Sequence, residues 1–234
     1  IAHFWALSRM MRMVQREVDM ETRKLETDTL RAADGVCRTR YPVVLVHGVF
    51  FRDMRLLSYW GRIPRALLEN GATLYYGEQQ SAASVADSGQ ELAARIRQIV
   101  DTTGCEKVNV VAHSKGGLDA RYAISCLGMD AYVASLTTIN TPHRGCLFAE
   151  YLLNKAPAGL LRRVAHTYNR AFRRLGDENP DFVKAVTDLT NSRCAELNAL
   201  MPDKAGVYYQ SVGSRMARAR SGKFPLNVAY PMVK

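Results

Sequence analysis

Two rhythms of hydrophobic and polar positions alternate along this chain. Short runs rich in apolar and β-branched residues at 42–47, 72–76, 107–112, 132–140 and 206–212, the first of them unbroken up to His47, have the length and composition of buried strands. Between them apolar residues recur at intervals of three and four, the spacing of helices with one buried stripe. This predicts a helix near 58–69, stopped by Asn70-Gly71. Another opens at Ser84 with Asp87 three residues on, buries Leu92, Ile96 and Ile99, and closes at Thr103-Gly104. A third follows the strand at 107–112 and runs through Leu127. Strands alternating with helices at this spacing predict an α/β fold, a mostly parallel sheet with right-handed crossovers and helices on its faces.

Two stretches stand outside that alternation. Phe4, Leu7, Met11, Val14, Val18 and Leu25 form one apolar stripe, so residues 1–35 read as an N-terminal helical segment ahead of a domain over 36–234. Residues 147–204 carry helical pattern only and read as an insertion into the domain. Within it Leu160, Leu161, Val164, Tyr168, Phe172 and Leu175 share one face, and Arg162, Arg163, Arg170, Arg173 and Arg174 lie off it. Gly176 is expected to stop that helix, and Asn179-Pro180 to cap and start the next. Such a helix either packs on the domain in the ordinary way or serves as a mobile cover over a pocket.

Composition narrows the class of partner. With 234 residues and 47% hydrophobic content, the chain suits one α/β domain with an ample core. The net charge of +10 invites a nucleic-acid reading, yet no recognition module or aromatic-interleaved basic stripe is present. A solvated basic surface remains, or one drawn to anionic lipid. Five scattered cysteines without paired spacing are expected as buried free thiols, not a metal cluster or disulfide framework. No run reaches the ~18 apolar residues of a membrane span.

The chemistry concentrates at 107–118, KVNVVAHSKGGL. An apolar strand runs into Ser114, with Ala112 and Gly116 two residues to either side and a helix beyond. That is the context of a nucleophile elbow, in which a strained turn lifts a serine hydroxyl clear of the sheet. Small residues are required because larger ones would crowd the neighbouring strand and helix. Ser and Gly also occur in ordinary strand-to-helix turns. A second motif upstream sharpens the reading: the buried strand Tyr41 to Val46 ends in His47-Gly48.

Together, the stretches YPVVLVHG, YWGRIPRALLENGATLYY, VNVVAHSKGGLDARY and VASLTTINTPHRG resemble the bacterial triacylglycerol lipases of the α/β-hydrolase superfamily. The resemblance runs from about Arg40 onward and is loosest in the middle. It implies the α/β-hydrolase fold, a helical cap or lid at 147–204, and hydrolysis of carboxylic esters of acylglycerols or related lipids through an acyl-enzyme. Ser114 would be the nucleophile, and the backbone amides of Val49 and Lys115 the oxyanion hole. Phe50 and the cap residues Leu160, Leu161, Val164, Tyr168 and Phe172 would meet the substrate. No cofactor takes part; some such lipases hold a structural calcium, but no carboxylate cluster here suggests one. The Lys115 ammonium is expected to face solvent, and Asp119 and Arg121 to be a structural pair or surface charges.

In that family the triad runs Ser, then Asp or Glu, then His. Only His143 and His166 follow Ser114, one in the TPHRG segment and one in the insertion. The sequence is therefore expected to be a piece of a longer reading frame, lacking the triad acid and base, with the fold's last strand and helix absent. Near-inactivity of this piece follows, unless His143 or His166 substitutes. Rival readings are a non-catalytic binding module on the same fold and a phospholipase or acyltransferase.

Overall fold

The computed structural model describes residues 35–49, 59–155, 157–174 and 176–214. The helix expected within 1–35, Phe50 and Leu175 lie outside these.

Five strands form one parallel sheet: β1 (Val43–Val46), β2 (Leu74–Tyr76), β3 (Val108–His113), β4 (Val133–Ile139) and β5 (Tyr208–Val212). Their spatial order is β2-β1-β3-β4-β5. Val44 pairs with Val110, Val110 with Leu136, and Leu136 with Tyr209, so a row of apolar residues crosses the sheet. Helices α1 (Ile63–Glu69), α2 (Val85–Thr103) and α3 (Lys115–Cys126) are the crossovers. The insertion contains α4 (Leu147–Lys155), α5 (Ala158–Arg174), α6 (Phe182–Thr187) and α7 (Asn191–Leu200). This is the α/β-hydrolase architecture.

β1 shows how the pleat divides the core. Val44 and Val46 join Leu92, Ile96, Val110 and Ile124 on one face, while Val43 and Leu45 join Trp60, Leu68 and Leu74 on the other. Each such aliphatic side chain contributes about 1.5–3 kcal/mol by leaving water. The Ser84 hydroxyl accepts from the Asp87 amide at the start of α2, and Gly104 is its C-cap, as the pattern predicts. Parallel pairing puts the loops after β1, β3 and β4 at one edge of the sheet, where sites in such folds form.

Two sequence expectations need correcting. The cap of α6 is Asp181, whose side chain accepts from the Lys184 amide, so Asn179-Pro180 lies ahead of the helix start. Asn179 instead donates its amide to Gln80 Oε1 at 2.8 Å. Of the thiols only Cys194 is fully buried; Cys126 is exposed and the other three are intermediate. Burial pushes the Cys194 thiol up to about 11.

The insertion is fastened to the domain by buried carboxylates. Asp177, 2% exposed, accepts from the Ser81 amide at 3.1 Å, the Ser81 hydroxyl at 2.9 Å and the Ala82 amide at 3.0 Å. Asp188 accepts from the Val85 amide at 2.6 Å and Arg193 Nε at 3.1 Å. Asp177→Ala strands two backbone donors and is expected to cost at least about 2 kcal/mol in urea unfolding. An unchanged midpoint would show that the clamp carries no stability.

Candidate active site

β3 ends at His113 and α3 begins at Lys115, so Ser114 alone makes the turn. Its backbone sits at φ 55° and ψ −130°. A side-chain-bearing residue held at positive φ costs about 1–3 kcal/mol and persists only where its surroundings enforce it. Here the Ser114 amide donates to the Ile139 carbonyl at 3.0 Å, and the Gly117 amide donates to the Ser114 carbonyl at 3.1 Å. The side chain is half-buried, and its Oγ has no hydrogen-bond partner among the described residues.

Main chain closes around this turn. A Cβ on Gly116 would lie 2.3 Å from the His47 carbonyl oxygen and 2.9 Å from that of Val46. One on Gly48 would lie 2.7 Å from Ser114 Cβ and 2.8 Å from the Tyr59 hydroxyl. Only glycine permits these two approaches. Ala112, where the elbow pattern has glycine, is fully buried between its partners Val46 and Thr138. The structure thus brings the loop after β1 against the elbow. The Val49 and Lys115 amides take no partner among the described residues, and the second stands at the start of α3, where helix amides point outward unpaired.

Tyr59, read in the sequence only as the start of the YWGRIP stretch and given no role there, belongs to the same cluster. Its hydroxyl contacts His113 Nδ1, and its ring packs edge-on against those of His113 and Trp60. Burial lowers the pKa of His113. The signal was the Tyr59-Trp60 pair, whose aromatic rings fill the space beside a motif read only for its backbone.

Lys115 corrects a third expectation. Its side chain is 1% exposed, and Nζ donates to Asp119 Oδ1 at 2.7 Å and Ser88 Oγ at 3.0 Å. The Ser84 carbonyl lies at 3.5 Å. The i,i+4 spacing puts the carboxylate one turn further along α3, and the first turns of α2 cover both groups. Asp119 and Arg121 are therefore not partners, nor is Asp119 at the surface. Arg121 donates instead to Asn198 Oδ1 at 2.6 Å and the Met201 carbonyl at 2.8 Å. Burial pushes the Asp119 carboxyl up to about 7; Lys115 holds it down, and Asp188 and Glu91 add to the rise.

The two downstream histidines are placed elsewhere. His143 Nε2 lies 3.0 Å from Thr138 Oγ1, and Nδ1 faces Arg121 at 3.5 Å. Burial and Arg121 lower its pKa. His166 is exposed on α5. Neither is hydrogen-bonded to Ser114 among the described residues. Val164, Tyr168 and Phe172 pack with Ala82, Phe182 and Val186 in a cluster of the insertion, and Tyr168 stacks on Phe182 at 4.9 Å. Leu161 is half-buried, while the Leu160 side chain lies outside what is described. Among the described residues no three His, Cys, Asp or Glu side chains gather to hold a metal ion, and no helix is long and apolar enough to cross a membrane.

Sheet order, elbow and main-chain cradle define an α/β-hydrolase. The chain belongs to the family described as "Putative serine esterase (DUF676)", whose model matches residues 42–180. It is 36% identical over 183 residues to a triacylglycerol lipase of Burkholderia plantarii, covering 73% of this chain and 51% of that one. Similarity to a triacylglycerol lipase of Pseudarthrobacter phenanthrenivorans is 35% over 182 residues, covering 73% and 56%. The chain spans about half the length of these curated relatives. The mature lipase BlEst2 of Bacillus licheniformis shares the fold, with a TM-score of 0.62 at 23% identity over 82% of this chain and 73% of that one.

The buried pair yields two expectations. Lys115→Met leaves a buried carboxylate without its cation and costs about 3–5 kcal/mol in urea unfolding, whereas Lys115→Met combined with Asp119→Leu recovers most of it. A double variant no more stable than the single one would contradict this. The folded Asp119 carboxyl titrates above its ordinary value of 3.8. Its contribution is therefore complete below that pH and is lost as pH rises towards about 7. The fall in unfolding free energy across that window is expected to be shallower in Asp119→Asn than in the parent.

Proposed function

We propose that this chain carries the nucleophile and oxyanion hole of a carboxylic-ester hydrolase acting on acylglycerols or related lipid esters. The observation that carries the reading is Ser114, held at positive φ with a free Oγ beside the Gly48 loop. The named activity of the two relatives supports the substrate class.

Ser114 Oγ attacks the ester carbonyl and gives up its proton to a base, and the carbonyl oxygen becomes an oxyanion. The Val49 and Lys115 amides stabilise that charge, each by about 3 kcal/mol in favourable cases. Collapse expels the alcohol, which takes the proton back from the base, and leaves an acyl-enzyme; water then releases the fatty acid. The base and its acid partner are assigned to residues outside these 234, because His143 is engaged by Thr138 and Arg121 and His166 is exposed. Phe50, Leu160, Leu161, Val164, Tyr168 and Phe172 are assigned to the acyl side, with the insertion as a cap over it. The chemistry calls for no cofactor.

In a gene product extended past residue 234, Ser114→Ala is expected to lower kcat on p-nitrophenyl butyrate by a factor on the order of 10⁶. Retained turnover would remove Ser114 from the chemistry. In the 234-residue chain, a fluorophosphonate probe should label Ser114 slowly, since a serine hydroxyl without a base is a poor nucleophile. Rapid labelling would place the base within this sequence. The extended product should also gain activity above the solubility limit of its substrate; a flat profile would argue against a mobile cap.

A further inference from the structure

We infer that the outer face of α5 is an adsorption surface for anionic lipid bilayers. Arg162, Arg163, His166, Arg170, Arg173 and Arg174 are all exposed. At about 100° per residue they fall within an arc of roughly 120°, along a helix about 25 Å long. Residues 158–174 contain no Asp or Glu. Among the described residues none of these five arginines forms an ion pair, whereas Arg40, Arg65, Arg95, Arg121 and Arg193 all do. Arg173 and Arg174 complement the carboxyl end of the helix dipole, but Arg162 and Arg163 gain nothing from it.

The opposite arc is already used. Val164, Tyr168 and Phe172 are packed against Phe182 and Val186, so the basic face can meet a surface while the cap stays as it is. Gly159, Arg162, Arg163, His166 and Thr167 line a shallow depression on that face, with the donors a phosphate headgroup requires. Exposed Leu147 and Tyr151, one turn apart on α4, give the same insertion apolar anchors of the kind found at membrane interfaces. A bilayer fits better than a nucleic acid. Among the described residues the basic arc carries no Phe, Tyr or Trp as a stacking platform for bases, His166 being its one small ring, and Tyr168 is on the far side against Phe182. The choice of a bilayer rests on the reading of the chain as a lipid-ester hydrolase, whose substrates lie in such surfaces.

The test separates adsorption from catalysis by using the Ser114→Ala chain with vesicles in a sedimentation assay. Binding is expected to phosphatidylcholine vesicles containing 30% phosphatidylglycerol, weakened by 0.5 M salt, and not to phosphatidylcholine alone. Each arginine near an anionic surface is worth about a five-fold change in partition, so Arg170→Gln, Arg173→Gln and Arg174→Gln together should lower it about a hundredfold. Arg40→Gln, Arg65→Gln and Arg97→Gln remove the same charge elsewhere and should change it far less. Equal loss in the two triple variants would reduce the effect to net charge and overturn the assignment. So would equal binding to neutral vesicles, or displacement of the chain from anionic vesicles by single-stranded DNA at equal phosphate. No binding to anionic vesicles by the Ser114→Ala chain with its arginines intact, alongside hydrolysis of a soluble ester by the extended product, would sink this inference alone; vesicle binding without hydrolysis would sink the hydrolase reading alone.

Discussion

The contact on which this molecule depends is main chain against main chain, where the end of β1 meets the turn after β3. Gly116 lies so close to the His47 and Val46 carbonyls that a single methyl group would collide with both. That proximity fixes the start of α3 relative to the loop carrying Val49, and it holds Ser114 in a backbone conformation it would not otherwise keep. The sheet order makes the contact possible, because β1 lies directly beside β3 with Val46 opposite Ala112. A different strand order would leave the serine on an ordinary turn without the Gly48 loop against it.

Polar groups buried behind the turn converge on the start of α2. Ser84 caps it, Asp188 accepts from the Val85 amide where the helix dipole favours negative charge, and the Lys115 ammonium reaches the Ser84 carbonyl and Ser88 hydroxyl. One helix terminus therefore ties together the elbow, the insertion and the crossover. The apolar clusters supply most of the driving force for folding, and these bonds decide how the pieces are oriented.

Much of this was legible in the sequence because strands and crossover helices obey period rules that a single chain displays. The runs around Val44, Val110 and Leu136 became adjacent parallel strands, and Ser84-Asp87 became the cap it resembled. The elbow was legible because its small residues answer a steric demand. Other features depended on distant partners and carried no local mark. The sequence placed Lys115 next to the elbow serine at the start of a helix, where a lysine is ordinarily solvated, yet α2 arrives from another part of the chain to cover it. Tyr59 was read as part of a motif, but its role against Gly48 and His113 exists only after β1 and β3 pair. Asp181, not Asn179, became the helix cap, and the Asn179 backbone amide is given instead to Gln80 across the fold.

The Asp177 clamp bears on how this protein loses its structure. The insertion has an apolar cluster of its own, which in isolation could melt as a separate unit. Its buried carboxylate instead satisfies the amides of Ser81 and Ala82 in the segment that leads into α2, and Ala82 is itself a member of that cluster. Peeling the insertion away would break these bonds along with the cluster, so the stability of the insertion is coupled to that of the segment entering α2.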